Sequence, residues 1–204
     1  SEISPMVDIQ ADQPAVDEAV RQLKGGGVVV IPTETVYGLA GRTSDIGAID
    51  RIFALKGRPL DNPLIAHVLD SAGASSVAAH WPDSAKALAA AFWPGPLTMI
   101  VERNQNIPAR ASAGLDTIAV RAPQHPMARA ILKGVGEAIS APSANRSGRV
   151  SPTSAEHVKA DYEGVREAAD LLVVDGGSCG CGIESTVLDL TGPAPRILRA
   201  GSVL

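Results

Sequence analysis

GGGVVVIP, Gly25–Pro32, decides the fold class. Three glycines end whatever precedes them. Four β-branched apolar residues follow, and a proline closes the run. That is the pattern of a short buried strand, Val28–Pro32. Upstream, Val16, Ala19, Val20 and Leu23 recur at helical spacing, so a helix is expected over Gln13–Lys24 with Asp12 as its cap. Helix, glycine stop and buried strand together open an α/β chain.

Downstream, TETVYGLAG, Thr33–Gly41, reads as a loop or turn. A second helix is expected over Ile46–Leu55, capped by Asp45, with Ile49, Ile52 and Phe53 inward. PLIAHV is the next strand. DSAKALAAAF, Asp83–Phe92, is a helix stopped by WPGP. LTMIVE and TIAVRA are strands, HPMARAILKG is a helix closed by glycine, and AISAPSA is a short strand running into a loop. SPTSAEHVKA opens a helix through a Thr153/Glu156 capping box. LLVVDGG, STVLDL and RILRAG are three final strands. Strands alternate with helices and then cluster, which predicts a mixed sheet. The long stretches 103–116 and 175–183 are expected as loops, and no repeat or linker interrupts residues 1–204. One domain is expected.

Composition bounds the function. A chain of 204 residues that is 45% apolar can build a core, and 20% charged residues with a net charge of −4 argue against disorder. Mild acidity and only six aromatic residues weigh against bulk nucleic-acid binding. No apolar run reaches membrane length, and the polar, acidic N-terminus lacks signal-peptide features, so a cytoplasmic protein is expected. Two cysteines, Cys179 and Cys181, are too few for a disulfide framework or a metal site. His67, His80, His125 and His157 show no metal-ligand spacing.

Chemistry concentrates in a few places. Lys56 and Arg58 leave a helix just before a proline. On an extended backbone, residues i and i+2 aim the same way, which suits gripping one anion. Two solvated cations would have the same pattern. Ser140, Ser143, Asn145, Ser147 and Ser151 alternate with small residues in SAPSANRSGRVS, with Arg146 and Arg149 beside them. Hydroxyls and an amide suit ribose, phosphate or amino-acid recognition, although most serine-rich loops are only loops. Thr33, Thr35 and Tyr37 follow one strand; Thr117 and Arg121 lie on another, where a cation needs an anionic partner. Glu184, Ser185 and Thr186 open a strand, and Arg196 and Arg199 close the chain. His67 within PLIAHV has a rival reading as a hydrogen-bonded core histidine. The GxxxxGK[ST] and GxGxxG nucleotide loops are absent.

IPTETVYGLA, IFALKGRPLDNPLIAHV, FWPGPLT, IAVRAP, SAPSANRSGRVSPT, GIESTVLDL and ILRAG occur in that order. Together they resemble the Sua5/YciO/YrdC family over about residues 8–203. The resemblance implies a twisted mixed sheet flanked by helices, with a large concave basic cavity. It implies synthesis of threonylcarbamoyl-AMP and pyrophosphate from L-threonine, bicarbonate or CO2, and ATP, with Mg²⁺ bridging phosphate oxygens. That product feeds t6A37 formation on tRNA by a separate transferase complex. The family core, K-x-R with S-x-N, falls on Lys56, Arg58, Ser143 and Asn145, the candidate catalytic set. Lys56, Arg58, Asn62, Thr117, Ser143, Asn145, Ser151, Arg196 and Arg199 are implied for ATP. Thr35, His67, Arg121 and Ser185 are implied for threonine. The chain stops just after ILRAG, where longer members continue, so a short form and a shortened long form both stay open. The alternatives are an RNA-binding module of the same fold that acts in translation or ribosome maturation, with tRNA or double-stranded RNA as its partner, and a carbamoyl-adenylate domain of the hydrogenase-maturation type.

Overall fold

The fold is given by a computed structural model that describes residues 7–10, 12–57, 64–180 and 183–201. Ten strands form one sheet among these residues: β1 (Val7–Gln10), β2 (Val29–Pro32), β3 (Tyr37–Arg42), β4 (Ile65–His67), β5 (Leu97–Glu102), β6 (Thr117–Arg121), β7 (Ile139–Ser140), β8 (Leu172–Asp175), β9 (Thr186–Asp189) and β10 (Arg196–Arg199). Their order across the sheet is β1-β8-β2-β3-β7-β4-β6-β5-β9-β10. Four neighbouring pairs are parallel (β1/β8, β2/β8, β4/β6, β5/β9) and the other five antiparallel, so the sheet is mixed, as expected.

The helices are α1 (Gln13–Lys24), α2 (Ile46–Lys56), α3 (Ser71–Ala74), α4 (Asp83–Phe92), α5 (Pro126–Val135) and α6 (Ala155–Tyr162). They cover both faces of the sheet. Val28, just before β2, and Val30 on it join one core cluster with Ile49, Ile52 and Leu55 of α2. Val29 and Ile31 join the other with Leu23 of α1 and Ile131 of α5. A strand covered on both sides has no solvent face, which is why VVVI is apolar without alternation.

Three expectations change. TETVYGLAG is a loop only over residues 33–36. From Tyr37 it is strand β3, paired antiparallel with β2 from Pro32↔Tyr37 to Val29↔Ala40. Its glycines suggested a loop, but they serve close approach. A Cβ on Gly41 would lie 3.1 Å from Ala48 Cβ and 3.2 Å from Ile52 Cδ1, against α2. The α6 cap is Ser154, whose hydroxyl accepts from His157 N at 3.1 Å, one residue past the expected capping box. Thr153 instead offers its carbonyl to Cys179 N at 2.8 Å. Finally, the N-terminal stretch contributes β1, parallel to β8, where no element was expected. The expected loop at 103–116 holds, with a 3-10 turn at Ala109–Ser112 inside it; of the expected loop at 175–183, Asp175 ends β8, residues 176–180 and 183 belong to no helix or strand, and residues 181 and 182 lie outside the described residues.

Among the described residues, no helix is long and apolar enough to cross a membrane.

Candidate functional site

The site is built on one face of four neighbouring strands. Ile65 on β4 stands opposite Ala119 on β6, Ala119 opposite Ile100 on β5, and Thr98 opposite Val187 on β9. All five line a cavity of about 520 Å³. One row further along, at the C-terminal ends of β4 and β6, His67 pairs in register with Arg121. These two line a second, much smaller cavity of about 30 Å³. Ligand crevices of α/β sheets lie at such strand ends. Ile65, Ser143, Glu184 and Arg199 line both cavities, so the two adjoin.

The wall of the larger cavity comes from α2 and from the loop after β7. Lys56 is the last residue of α2 and is 5% exposed. It is helical, not extended as expected, and Gly57 follows in the left-handed region at φ 86°. The loop satisfies the helix end: Arg146 Nη1 donates to Leu55 O at 3.0 Å and Ser147 N to Lys56 O at 2.9 Å. Lys56 Nζ returns a bond to Ser143 O at 2.7 Å. Ser143 Oγ donates to Asn145 Oδ1 at 2.6 Å, while Asn145 Nδ2 reaches the carbonyls of Arg146 and Arg149 at 3.1 and 2.8 Å. The end of α2 at Leu55 and Lys56 is thus stapled to the S-x-N segment. Arg58 and Asn62 lie outside the described residues.

Burial pulls the Lys56 pKa down to about 8, opposed by the nearby negative charge of Glu184. An anion entering the cavity favours the ammonium, so it must raise that pKa again. Binding of a nucleotide phosphate near pH 8 is therefore expected to take up protons, and affinity is expected to fall as pH rises above 8. Calorimetric titration with ATP in two buffers of different ionisation enthalpy checks this. Equal heats in both buffers would refute it.

The smaller cavity is organised around Arg121, 3% exposed. Its guanidinium is ion-paired with Glu34, donates from Nη1 to Thr35 Oγ1 at 3.0 Å, and from Nε to Gly95 O at 3.3 Å. Glu34 is itself held by the backbone N–H groups of Gln124 and His125. The 33–36 loop that presents it is fixed by Thr33, whose hydroxyl donates to Val36 O at 2.7 Å. That leaves Thr35 as donor in the 3.0 Å contact between the two threonine hydroxyls. Burial and the neighbouring positive charge of Arg199 lower the Arg121 pKa to about 10, with Cys179 acting the other way. It stays charged at neutral pH. Two guanidiniums, Arg121 and Arg199, face this small space, an arrangement that favours an anionic group between them.

Ser185 hydrogen-bonds Thr98 through their hydroxyls at 2.6 Å. Arg199 donates from Nε to Ser185 O at 3.1 Å and from Nη1 to Glu184 Oε2 at 2.9 Å. Ser151 Oγ donates to Glu184 Oε1 at 3.3 Å. His67 sits at the cavity but is buried. Burial takes its pKa down to about 4, against backbone hydrogen bonds with Ile65 and Ile139, so it is neutral at pH 7. Cys179, also buried, has its thiol pushed up to about 11.

The fold therefore brings Thr35, His67, Arg121 and Ser185 to the smaller cavity, and Lys56, Ser143, Asn145, Ser151 and Arg199 to the larger. Thr117 shares the face of Ala119 but lies one row beyond the lining. Arg196, on the outer strand β10, pairs with Asp189 at 3.3 Å and lines neither cavity. Sequence reasoning passed over Glu34 and Thr98, and named Arg149 and Glu184 only as neighbours of the candidate groups, without a ligand. Thr98 carried a signal, a hydroxyl among the apolar residues Leu97, Met99, Ile100 and Val101 of β5.

The sequence model of one family, Sua5_yciO_yrdC, described as "Telomere recombination", matches residues 21–201. A threonylcarbamoyl-AMP synthase of Bacillus subtilis is 43% identical over 96% of this chain and 56% of its own length. One of Pyrococcus abyssi is 45% identical over 89% of this chain and 52% of its own. The chain spans about half the length of these curated relatives. Among solved structures, P. abyssi Sua5 complexed with L-threonine superposes with a TM-score of 0.88 at 40% identity, covering 97% of this chain and 58% of that one. E. coli YciO superposes with a TM-score of 0.83 at 27% identity, covering 98% and 96%.

Proposed function

The chain belongs to the Sua5/YciO/YrdC family, and from that premise we propose that it makes threonylcarbamoyl-AMP and pyrophosphate from L-threonine, bicarbonate or CO2, and ATP. The observation that carries the reading is the pair of adjoining cavities. The smaller is built for a carboxylate, between Arg121 and Arg199; the larger has the size and the hydroxyl, amide and cationic lining for a nucleotide. The names of the relatives favour this enzyme reading over an RNA-binding module.

In this reading the threonine carboxylate pairs with Arg121, beside Thr35, His67 and Ser185. ATP occupies the larger cavity against Lys56, Ser143, Asn145, Ser151 and Arg199. Arg58, Asn62, Thr117 and Arg196 complete the nucleotide set implied by the family motifs. The threonine amine, carboxylated to a carbamate, attacks the α-phosphorus and displaces pyrophosphate. Two anions must meet, so Lys56 and Arg199 act by holding charge and geometry, with no protein nucleophile. Mg²⁺, when bound, neutralises phosphate charge. The hydroxyl- and cation-rich lining fits an ion carried on phosphate oxygens and water, because Glu184 is the one carboxylate among the described lining residues. The product is an activated acyl-adenylate-like anhydride for a transferase acting on tRNA.

Pyrophosphate release from ATP tests the reading. It is expected to require both threonine and bicarbonate. Release indifferent to omitting either one would reject it.

A further inference from the structure

Glu184 stands out by its charge. The lining of both cavities is otherwise hydroxyls, the Asn145 amide, apolar groups, the neutral His67 imidazole and the cations Lys56, Arg121, Arg149 and Arg199. Glu184 is the one carboxylate among the described lining residues, and it lines both cavities at once. Its oxygens are engaged by Arg199 Nη1 at 2.9 Å and Ser151 Oγ at 3.3 Å, and its charge is felt by Lys56. A carboxylate kept in a place built for anions needs a cationic partner during binding.

The geometry points to Glu184 as the group that receives the α-ammonium of the amino-acid substrate and so selects amino acids over their hydroxy-acid counterparts. This rests on reading the smaller cavity as the amino-acid site. That cavity is lined by the guanidiniums of Arg121 and Arg199, which mark its carboxylate end. With the carboxylate between Arg121 and Arg199, the rest of the amino acid extends to the junction that Ser143, Glu184 and Arg199 share with the larger cavity. The amine must lie on that side for its carbamate to reach a phosphate. Glu184 occupies that junction. Arg199 is its resting partner, and the substrate carboxylate offers Arg199 another anion. Substrate binding is then an exchange of partners: Arg199 turns to the carboxylate and Glu184 to the ammonium. No charge is left without a counterion.

The test compares L-threonine with 2,3-dihydroxybutanoate, which replaces the ammonium by a hydroxyl and keeps the rest. Affinities are measured by calorimetry in EDTA, so that a lost Mg²⁺ cannot account for the result. A charge-assisted hydrogen bond predicts that the wild-type protein prefers threonine by about tenfold or more. In Glu184→Gln, which keeps size and removes charge, the preference is expected to fall to near unity. An unchanged ratio, including equal weakening of both ligands, overturns the role of Glu184 and leaves the amino-acid site standing. If the wild-type protein binds neither ligand, the amino-acid reading fails and this inference with it. Should Glu184→Gln bind neither, Glu184→Asp decides: a ratio within about threefold of wild type supports the role, and a ratio near unity overturns it.

Discussion

Arg121→Ala is expected to leave ATP binding intact and to abolish productive use of threonine. Arg121 is buried among Glu34, Thr35 and Gly95, and its guanidinium faces the smaller cavity beside Arg199. Truncating one partner of a buried, hydrogen-bonded charge pair costs about 2–5 kcal/mol, or roughly 30-fold to several thousand-fold in affinity. The KM for threonine in the pyrophosphate assay should rise accordingly, with ATP affinity by calorimetry changed less than about threefold. Some stability is lost too, because Glu34 loses its cation, although two backbone N–H groups still hold its carboxylate. Arg121→Lys separates the two effects. It keeps the charge opposite Glu34 and loses the planar fork, so folding recovers more than threonine use does. Equal threonine KM in all three proteins would remove Arg121 from the site.

Lys56→Met is expected to act on turnover and hardly on stability. The ammonium is buried at a cost, visible in its lowered pKa, and methionine fills a similar volume without that cost. What is lost is one bond to Ser143 O, about 1 kcal/mol, offset by relief of desolvation. Urea unfolding should therefore shift by no more than about 1 kcal/mol. The loss in kcat should be roughly 10²- to 10³-fold, the usual effect of removing one preorganised charge from a phosphoryl site. Proton uptake on ATP binding near pH 8 should vanish as well. A variant that keeps full turnover would show that the larger cavity works without this charge.

The parts of the fold legible in the sequence are those where burial leaves one pattern. The run at Val28–Ile31 read as a buried strand because both its faces are covered, and α1 and α2 read from their Asp caps and apolar stripes. β3 did not, because Gly38 and Gly41 mimic a turn while admitting the Ala141–Pro142 backbone and α2. Cations and hydroxyls at strand ends pointed to an anion site, and the fold brings nine of the thirteen residues that the resemblance implies for ATP or threonine to the two cavities. Glu184 and Glu34 gained no role from sequence, since a search for anion-binding groups passes over acids. Their meaning depends on facing Arg199 and Arg121, which are 15 and 87 residues away along the chain.

At the end of α2, among the described residues, the carbonyls of Leu55 and Lys56 are taken up by Arg146 and Ser147. A Cβ on Gly57 would sit 2.3 Å from Arg146 Nη2, so the two segments interlock tightly. Helix end and serine loop consequently form one cooperative unit. Their amides should exchange with solvent at a common rate and gain protection together when a nucleotide binds. Substitutions on the two sides, such as Gly57→Ala and Arg146→Ala, should be non-additive, because either one alone releases the shared clasp.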